Sequence, residues 1–272
     1  MTAPPETTEW GYYRPPWQAA LCIGALRHRI ARGAMKRPLR KLLANISPLY
    51  DIEIDGLKLR CRAGDNYTEQ MALERNGHTN RTAIELITQG LGFGGVFMDI
   101  GANCGLFTLF AARKVGARGR VIAIEPLPQM LERLRFNIAA NRFTNVTVVA
   151  TAVGAELGSA TIHVGNEQFG HSSMHPVEGH TALQVPVLPL LDICGTVGLT
   201  KIDALKIDIE GYEDRALVPF FRSAPRSLWP EKIFMEIDHG DRWETDCLAT
   251  LIEGGYQKVW SSGGDALLKL EH

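Results

Sequence analysis

The sequence predicts an α/β fold in which seven strands form a mostly parallel sheet, with helices and a hairpin added at the N-terminus. Three stretches carry that expectation. The apolar run Val96-Phe97-Met98-Asp99-Ile100 breaks into the turn Gly101-Ala102-Asn103-Cys104-Gly105, and a helical apolar pattern (Leu106, Phe107, Leu109, Phe110) follows at once. A continuous apolar run is the mark of a strand buried on both faces of a parallel sheet. The second stretch, Val121-Ile122-Ala123-Ile124-Glu125-Pro126, leads into a helix over 128–141 whose Met130, Leu134 and Ile138 share one face. The third spans 145–151 and enters Ala152-Val153-Gly154. Strand–helix units in succession fold through right-handed crossovers, and ligands sit at the carboxyl ends of the strands.

The bounds of the chain agree. Its 272 residues can bury a full α/β core as one domain with decoration. A net charge of −1 points to no particular partner. Five scattered cysteines (Cys22, Cys61, Cys104, Cys194, Cys247) without a C-x-x-C read as reduced thiols, not a disulfide frame or a zinc site. Residues 1–18 lack the pattern of a signal peptide, and no apolar run reaches membrane-spanning length. The expected location is cytoplasmic.

Residues 1–10 are small and polar and read as disordered. From Tyr12 to Leu43 there is no acid, while Arg14, Arg27, Arg29, Arg32, Lys36, Arg37, Arg40 and Lys41 gather. Leu21, Ile23, Leu26 and Ile30 form a helical stripe, and Pro38 interrupts the pattern. The expected role is a helical cap with solvated charges. Peripheral contact with an anionic membrane is the other reading. Alternation over 52–62 around Asp55-Gly56 predicts a hairpin. Residues 81–90 read as a helix ending at Gly90. Strands at 160–164 and 184–188 flank a polar loop over 165–181. The sheet resumes at 205–208 and 233–237, and a closing hairpin spans 256–260 and 266–270.

The chemistry gathers at the strand ends. G-x-N-x-G is not the dinucleotide G-x-G-x-x-G, and it lacks the Lys-Ser/Thr of a phosphate loop. An acid ahead of the glycines repels a pyrophosphate and can hold an ammonium, so a cationic cofactor bearing an amino acid fits better. Asp99 is the candidate for that contact, with the backbone of Gly101, Ala102 and Gly105, while Asn103 either joins them or caps the helix. Glu125, beside Pro126 and some 20 residues on, can accept both hydroxyls of a ribose. In Asp65-Asn66-Tyr67-Thr68-Glu69, a helix cap at Asn66 and a cofactor contact by Glu69 both stay open. Asp208 and Glu210 lie in Leu205-Lys206-Ile207-Asp208-Ile209-Glu210-Gly211, which reads as a core strand, where an acid needs a reason. Asp208, Glu236 and Asp238 at neighbouring strand ends could offer oxygen ligands to magnesium. No spacing demands it, and no metal is expected. His171, His175 and His180 lack a helical ligand face, and Ser172 and Ser173 lack a nucleophile elbow.

Asp99-Ile100-Gly101-Ala102-Asn103-x-Gly105 followed by Val121-Ile122-Ala123-Ile124-Glu125-Pro126 resembles class I S-adenosylmethionine-dependent methyltransferases. Adding Leu205-Lys206-Ile207-Asp208-Ile209-Glu210-Gly211-Tyr212-Glu213 narrows the resemblance to the FkbM family, over roughly 60–240. The resemblance implies a Rossmann-like class I methyltransferase fold and S-adenosyl-L-methionine as cofactor. It implies adenine contacts through the backbone of Ala152 and Val153. It also implies that Asp208 and Glu210 line the methyl-transfer site, with one of them, or His171, as base or orienter. The implied acceptor is a hydroxyl of a sugar, glycolipid or secondary metabolite. N-methylation, metal-dependent O-methylation and a non-enzymatic binding or scaffold role are the alternatives. No nucleic-acid partner is expected, and a homodimer stays open. The expected organisation is an extension over 1–64 and a methyltransferase domain over 65–269 with an inserted hairpin and loop at 158–191.

Overall fold

The structure is a computed structural model that describes residues 8–28, 33–64, 66–75, 78–165 and 180–271. Two helices open it, α1 (Trp17–Arg27) and α2 (Lys36–Ile46), then the hairpin β1 (Leu49–Ile54) and β2 (Leu57–Arg62). Asp55 (φ 50°) and Gly56 (φ 80°) both take the left-handed conformation of a two-residue hairpin turn. Pro38 does not interrupt α2. It occupies the helix's first turn, where its missing N–H has no intrahelical partner to lose. Leu21, expected on the buried stripe, faces outward, and α1 packs through Ala19, Cys22, Ile23 and Leu26. Ile30 lies outside the described residues. So do residues 1–7, but the segment from Thr8 is ordered: the Thr8 and Glu9 carbonyls accept from the Arg60 guanidinium, which also pairs with buried Asp51.

Helices α3 (Tyr67–Arg75) and α4 (His78–Thr88) precede the main sheet, and Asn66 caps α3 by accepting the Glu69 N–H at 3.1 Å. Then β3 (Val96–Ile100), α5 (Leu106–Val115), β4 (Arg120–Ile124), α6 (Pro128–Ala140) and β5 (Val146–Val149) alternate. The third predicted strand is split. β5 stays in the main sheet, and β6 (Ala152–Gly154) leaves it to pair in parallel with β8 (His180–Pro189), itself antiparallel to β7 (Gly158–Gly165). The Thr151 hydroxyl secures the departure by bonding the Ala152 and Pro186 carbonyls at 3.0 Å.

After α7 (Leu190–Thr196), the sheet is completed by β9 (Ala204–Ile207), α8 (Glu213–Ser223), β10 (Lys232–Glu236), α9 (Cys247–Glu253), β11 (Tyr256–Ser262) and β12 (Asp265–Leu270). Its order is β11-β12-β10-β9-β3-β4-β5, and β12 runs antiparallel to both neighbours. This is the predicted seven-stranded, mostly parallel sheet. Every residue of β3 and β9 is buried, as their unbroken apolar runs require. The strand order reverses between β3 and β9, which places the ligand crevice at their carboxyl ends. The N-terminal helices and hairpin share one apolar cluster with α3, α5 and α6.

Candidate active site

The carboxyl ends of β3, β4, β9 and β10 open into a crevice of about 920 Å³, within the range that encloses a small ligand. One side is built by the turn after β3. Gly101 is left-handed (φ 73°), and a Cβ there would stand 2.1 Å from the Asp208 carbonyl oxygen, so no other residue fits between the two strand ends. Gly101, Ala102 and Asn103 line the crevice with Glu125, Pro126, Ala152 and Val153. Glu125 holds the turn in place. Its carboxylate accepts the Asn103 N–H at 2.8 Å and the Leu127 N–H at 2.9 Å. Burial nevertheless lifts its pKa to about 7. Asn103 is itself left-handed (φ 54°) and shares its side-chain oxygen with the Cys104 N–H and the Asn66 amide.

Three predicted contacts are redirected. Asp99 does not line the crevice: it is fully buried beneath it, with Oδ2 accepting from Thr108 at 2.6 Å and Oδ1 3.8 Å from the Lys206 ammonium. Its carboxylate is engaged below the crevice by Thr108 and Lys206, while the turn residues Gly101, Ala102 and Asn103 line the crevice itself. Gly105 is likewise a packing residue, set against Leu134 where a Cβ would approach Cδ1 to 2.6 Å. Glu69 turns inward to pair with buried Arg133, leaving Tyr67 and Thr68 of the same helical turn on the crevice wall.

Lys206 links the two halves of the site. It faces Asp99 across the parallel β3–β9 register, lies 3.6 Å from Asp208, and donates to the Gly101 carbonyl at 2.8 Å. Burial pulls its pKa down, but Asp208, Asp99, Glu125 and Glu236 outweigh burial and leave it above the ordinary lysine value. Lys206 is therefore a buried cation that fixes the glycine turn against the end of β9.

The opposite side is crowded with acids. Asp208, Glu210, Glu236, Asp238 and Asp265 all line it, with His239, Tyr212 and Trp260. Burial, then the Asp208 charge, lifts Glu210 to about 7 and Asp265 to about 6, and the same two causes raise Glu236. Glu210 is held left-handed (φ 59°), its carbonyl accepts from Arg242, and its Oε2 lies 3.2 Å from His239 Nε2. The buried Glu213 carboxylate fixes this turn by accepting the N–H groups of Ile209 (2.9 Å) and Gly211 (3.3 Å) while taking a bond from the Trp243 indole (2.9 Å). Glu210, Glu236 and His239 are the group among the described residues whose ligand atoms converge within 4.8 Å, in place of the Asp208, Glu236 and Asp238 set that the sequence suggested. His171, the other candidate base, lies outside the described residues, as do Ser172, Ser173, His175 and the His180 side chain.

The residues lining the crevice fit a cationic, adenosine-bearing cofactor. A cation with hydroxyls and a flat apolar end suits a crevice with Glu125 at one side, buried Ala152 and Val153 beside it, and acids opposite. Lys206, His239, Tyr212 and Trp260 were not among the expected contributors. A lysine inside an apolar strand was the available signal for the first. Tyr212 lies in the same stretch that carries the family resemblance, whereas His239 and Trp260 come from segments with no local mark of function.

Comparisons with known proteins identify the family. Residues 99–257 match the model of the methyltransferase FkbM domain. Methyltransferase 1 of Beauveria bassiana is 28% identical over 137 residues, 43% of this chain and 54% of that protein. Protein-L-isoaspartate O-methyltransferase 2 of Arabidopsis thaliana is 28% identical over 119 residues, 42% of this chain and 36% of that protein. The chain thus spans about half or less of the length of these relatives. Fibrillarin of Aeropyrum pernix, solved with S-adenosyl-L-methionine bound, matches with a TM-score of 0.44 and 14% identity over 69% of this chain and 73% of that one. With more than half its length matched by that model, the chain belongs to the FkbM-domain family of S-adenosylmethionine-dependent methyltransferases.

Proposed function

We propose that the protein transfers a methyl group from S-adenosylmethionine to a hydroxyl of a sugar, glycolipid or secondary metabolite. The observation that carries this is the Glu210–His239 contact at the crevice wall, with Glu210 lifted to about 7. A carboxylate poised near neutrality can take the proton that an alcohol must lose as its oxygen is alkylated. S-adenosylmethionine supplies an electrophilic methyl group. The chain's own residues do the rest. Glu125 and the Gly101–Asn103 turn hold the donor's ribose and amino-acid ends, and Lys206 keeps the turn at a fixed distance from Asp208. Glu210 receives the acceptor's proton, and His239 orients Glu210 and spreads the charge. Glu213 and Arg242 hold the Glu210 backbone, so the carboxylate stays aimed without an entropic cost at the moment of reaction.

The acids favour a cationic donor over its neutral demethylated product, which eases product release. They also repel a phosphate backbone, which argues against a nucleic-acid acceptor. The same acids favour one second reading, an amine acceptor bound as its ammonium. Five buried, unpaired cysteines suit a reducing compartment and support a cytoplasmic location. The deciding experiment is methyl transfer from labelled S-adenosylmethionine to a panel of sugar, glycolipid and amine acceptors. Label on hydroxyl oxygens supports the reading, and label confined to nitrogen replaces it with the second.

A further inference from the structure

We propose that the α1–α2 face is a docking surface for an anionic lipid bilayer. Helix α1 (WQAALCIGALR) has no charged residue before Arg27 and is apolar on both sides. Its inner side, Ala19, Cys22, Ile23 and Leu26, is buried, and it packs on α3. Its outer side leaves Trp17 70% and Leu21 65% exposed, one helical turn apart. A helix apolar all round is normally buried on every side, and here one side has no cover among the described residues.

Helix α2 repeats the pattern at its edge. Met35, Leu39, Leu42, Leu43 and Ile46 fall on one arc, but only Leu43 is buried, while Met35 and Leu42 are 57% and 46% exposed. Lys36, Arg37, Arg40 and Lys41 occupy the opposite arc, with Arg40 bound to Glu74 of α3. An apolar arc opposed by a basic one is the build of a helix lying in the plane of a membrane interface. Exposed tryptophan and leucine near arginines suit the headgroup level of a bilayer.

Charge names the occupant. Between Tyr12 and Leu43 lie eight of the chain's 29 Lys and Arg and none of its 30 acids, so the rest carries 21 bases against 30 acids. An anionic surface attracts this stretch of the sequence and repels the acid-rich remainder, and Lys36, Arg37 and Lys41 of α2 orient the docked molecule. Helix α1 rests on α3, whose first turn lines the crevice, so one helix stands between the docked face and the active site. The inference is independent of which acceptor is methylated.

The test is flotation of the full chain with phosphatidylcholine vesicles and with vesicles that also contain phosphatidylglycerol. Binding should need phosphatidylglycerol and fall as salt rises. The variant K36E/K41E should lose about tenfold or more in partitioning, and W17S/L21S should lose binding while keeping the native circular dichroism, melting temperature and affinity for S-adenosylmethionine. Equal flotation with neutral vesicles, or no effect of either variant, overturns the proposal. Concentration-dependent dimerisation lost in W17S/L21S, without vesicle binding, also overturns it and assigns the face to a second copy.

Discussion

The two sides of the crevice are built on opposite principles. On the β3–β4 side each polar side chain is engaged by a neighbour within the protein, although Asp99 Oδ1 takes no hydrogen bond among the described residues. Glu125 accepts two N–H groups, Asp99 is bonded by Thr108 and faced by Lys206, and Asn103 is tied to Asn66. On the β9–β10 side, Glu210, Glu236 and Asp265 are crowded, and their pKa values are pushed up by burial and by Asp208. A satisfied network is rigid and suits an invariant ligand, whereas a group of carboxyls held above their ordinary range can exchange protons near neutral pH. The contrast separates holding from reacting, and four experiments can break or sharpen it.

The largest effect is expected on the reacting side. Glu210→Gln keeps shape and removes the proton acceptor, so kcat should fall by about 10²–10⁴-fold with donor affinity nearly unchanged. In the wild-type protein the rate should rise with pH through about 7, because the deprotonated form of Glu210 is the active one. Initial rates against pH check both expectations. A rate unaffected by the substitution would move the base elsewhere, with the 165–181 segment next in line.

Lys206→Met tests the link between the sides. It leaves Asp99 without its facing charge and the Gly101 carbonyl without its donor, at a cost of about 3 kcal/mol in denaturant unfolding. A loss well under 1 kcal/mol would mean that Asp99 is already neutral and that the two halves are not coupled through this lysine.

On the holding side, Glu125→Gln should weaken S-adenosylmethionine binding by about 1–3 kcal/mol in calorimetry, since the amide retains only one acceptor oxygen. Its linkage to stability has a definite sign. The Glu125 pKa is about 7 in the folded protein against an ordinary 4.5, so between those values the folded state keeps a proton that the unfolded chain has released. Stability from this group therefore falls as pH rises from about 4.5 to 7, and the substitution should flatten that slope in thermal melts at stepped pH.

The smallest effect expected is none. Turnover should survive EDTA. Loss of activity that magnesium or manganese restores would turn Glu210, Glu236 and His239 into ligands and make the reacting side a metal centre.

The sheet and its crevice were legible in the sequence because buried parallel strands leave long apolar runs, and these cannot be hidden. Glu125, Asp208 and Glu210 were legible for the same reason: an acid at the end of such a run is conspicuous. Asp99 was conspicuous too but points the other way, since side chains alternate along a strand and sequence does not say which face meets the ligand. Its partner Lys206, more than a hundred positions later, becomes its neighbour only through strand register. Glu69 illustrates the same limit, because the buried Arg133 that claims it comes from α6. His239, Trp260 and Asp265 reach the crevice from the end of β10 and from the closing hairpin, and no local pattern announces that meeting. The departure of β6 from the main sheet was equally invisible. It depends on β8 arriving from more than thirty residues downstream.

That departure makes the β6–β8–β7 unit a socket. Its base is anchored by the β6–β8 ladder and the Thr151 bonds, yet it contributes no strand to the seven-stranded sheet. The connection between β7 and β8 can thus change length or composition at little thermodynamic expense, roughly 0.6 kcal/mol for each doubling of a flexible loop. Ile162 of β7 lines the crevice, so the unit that carries the connection also contributes to the crevice wall. For an engineer this is the segment whose sequence can be varied without cutting any strand of the seven-stranded sheet.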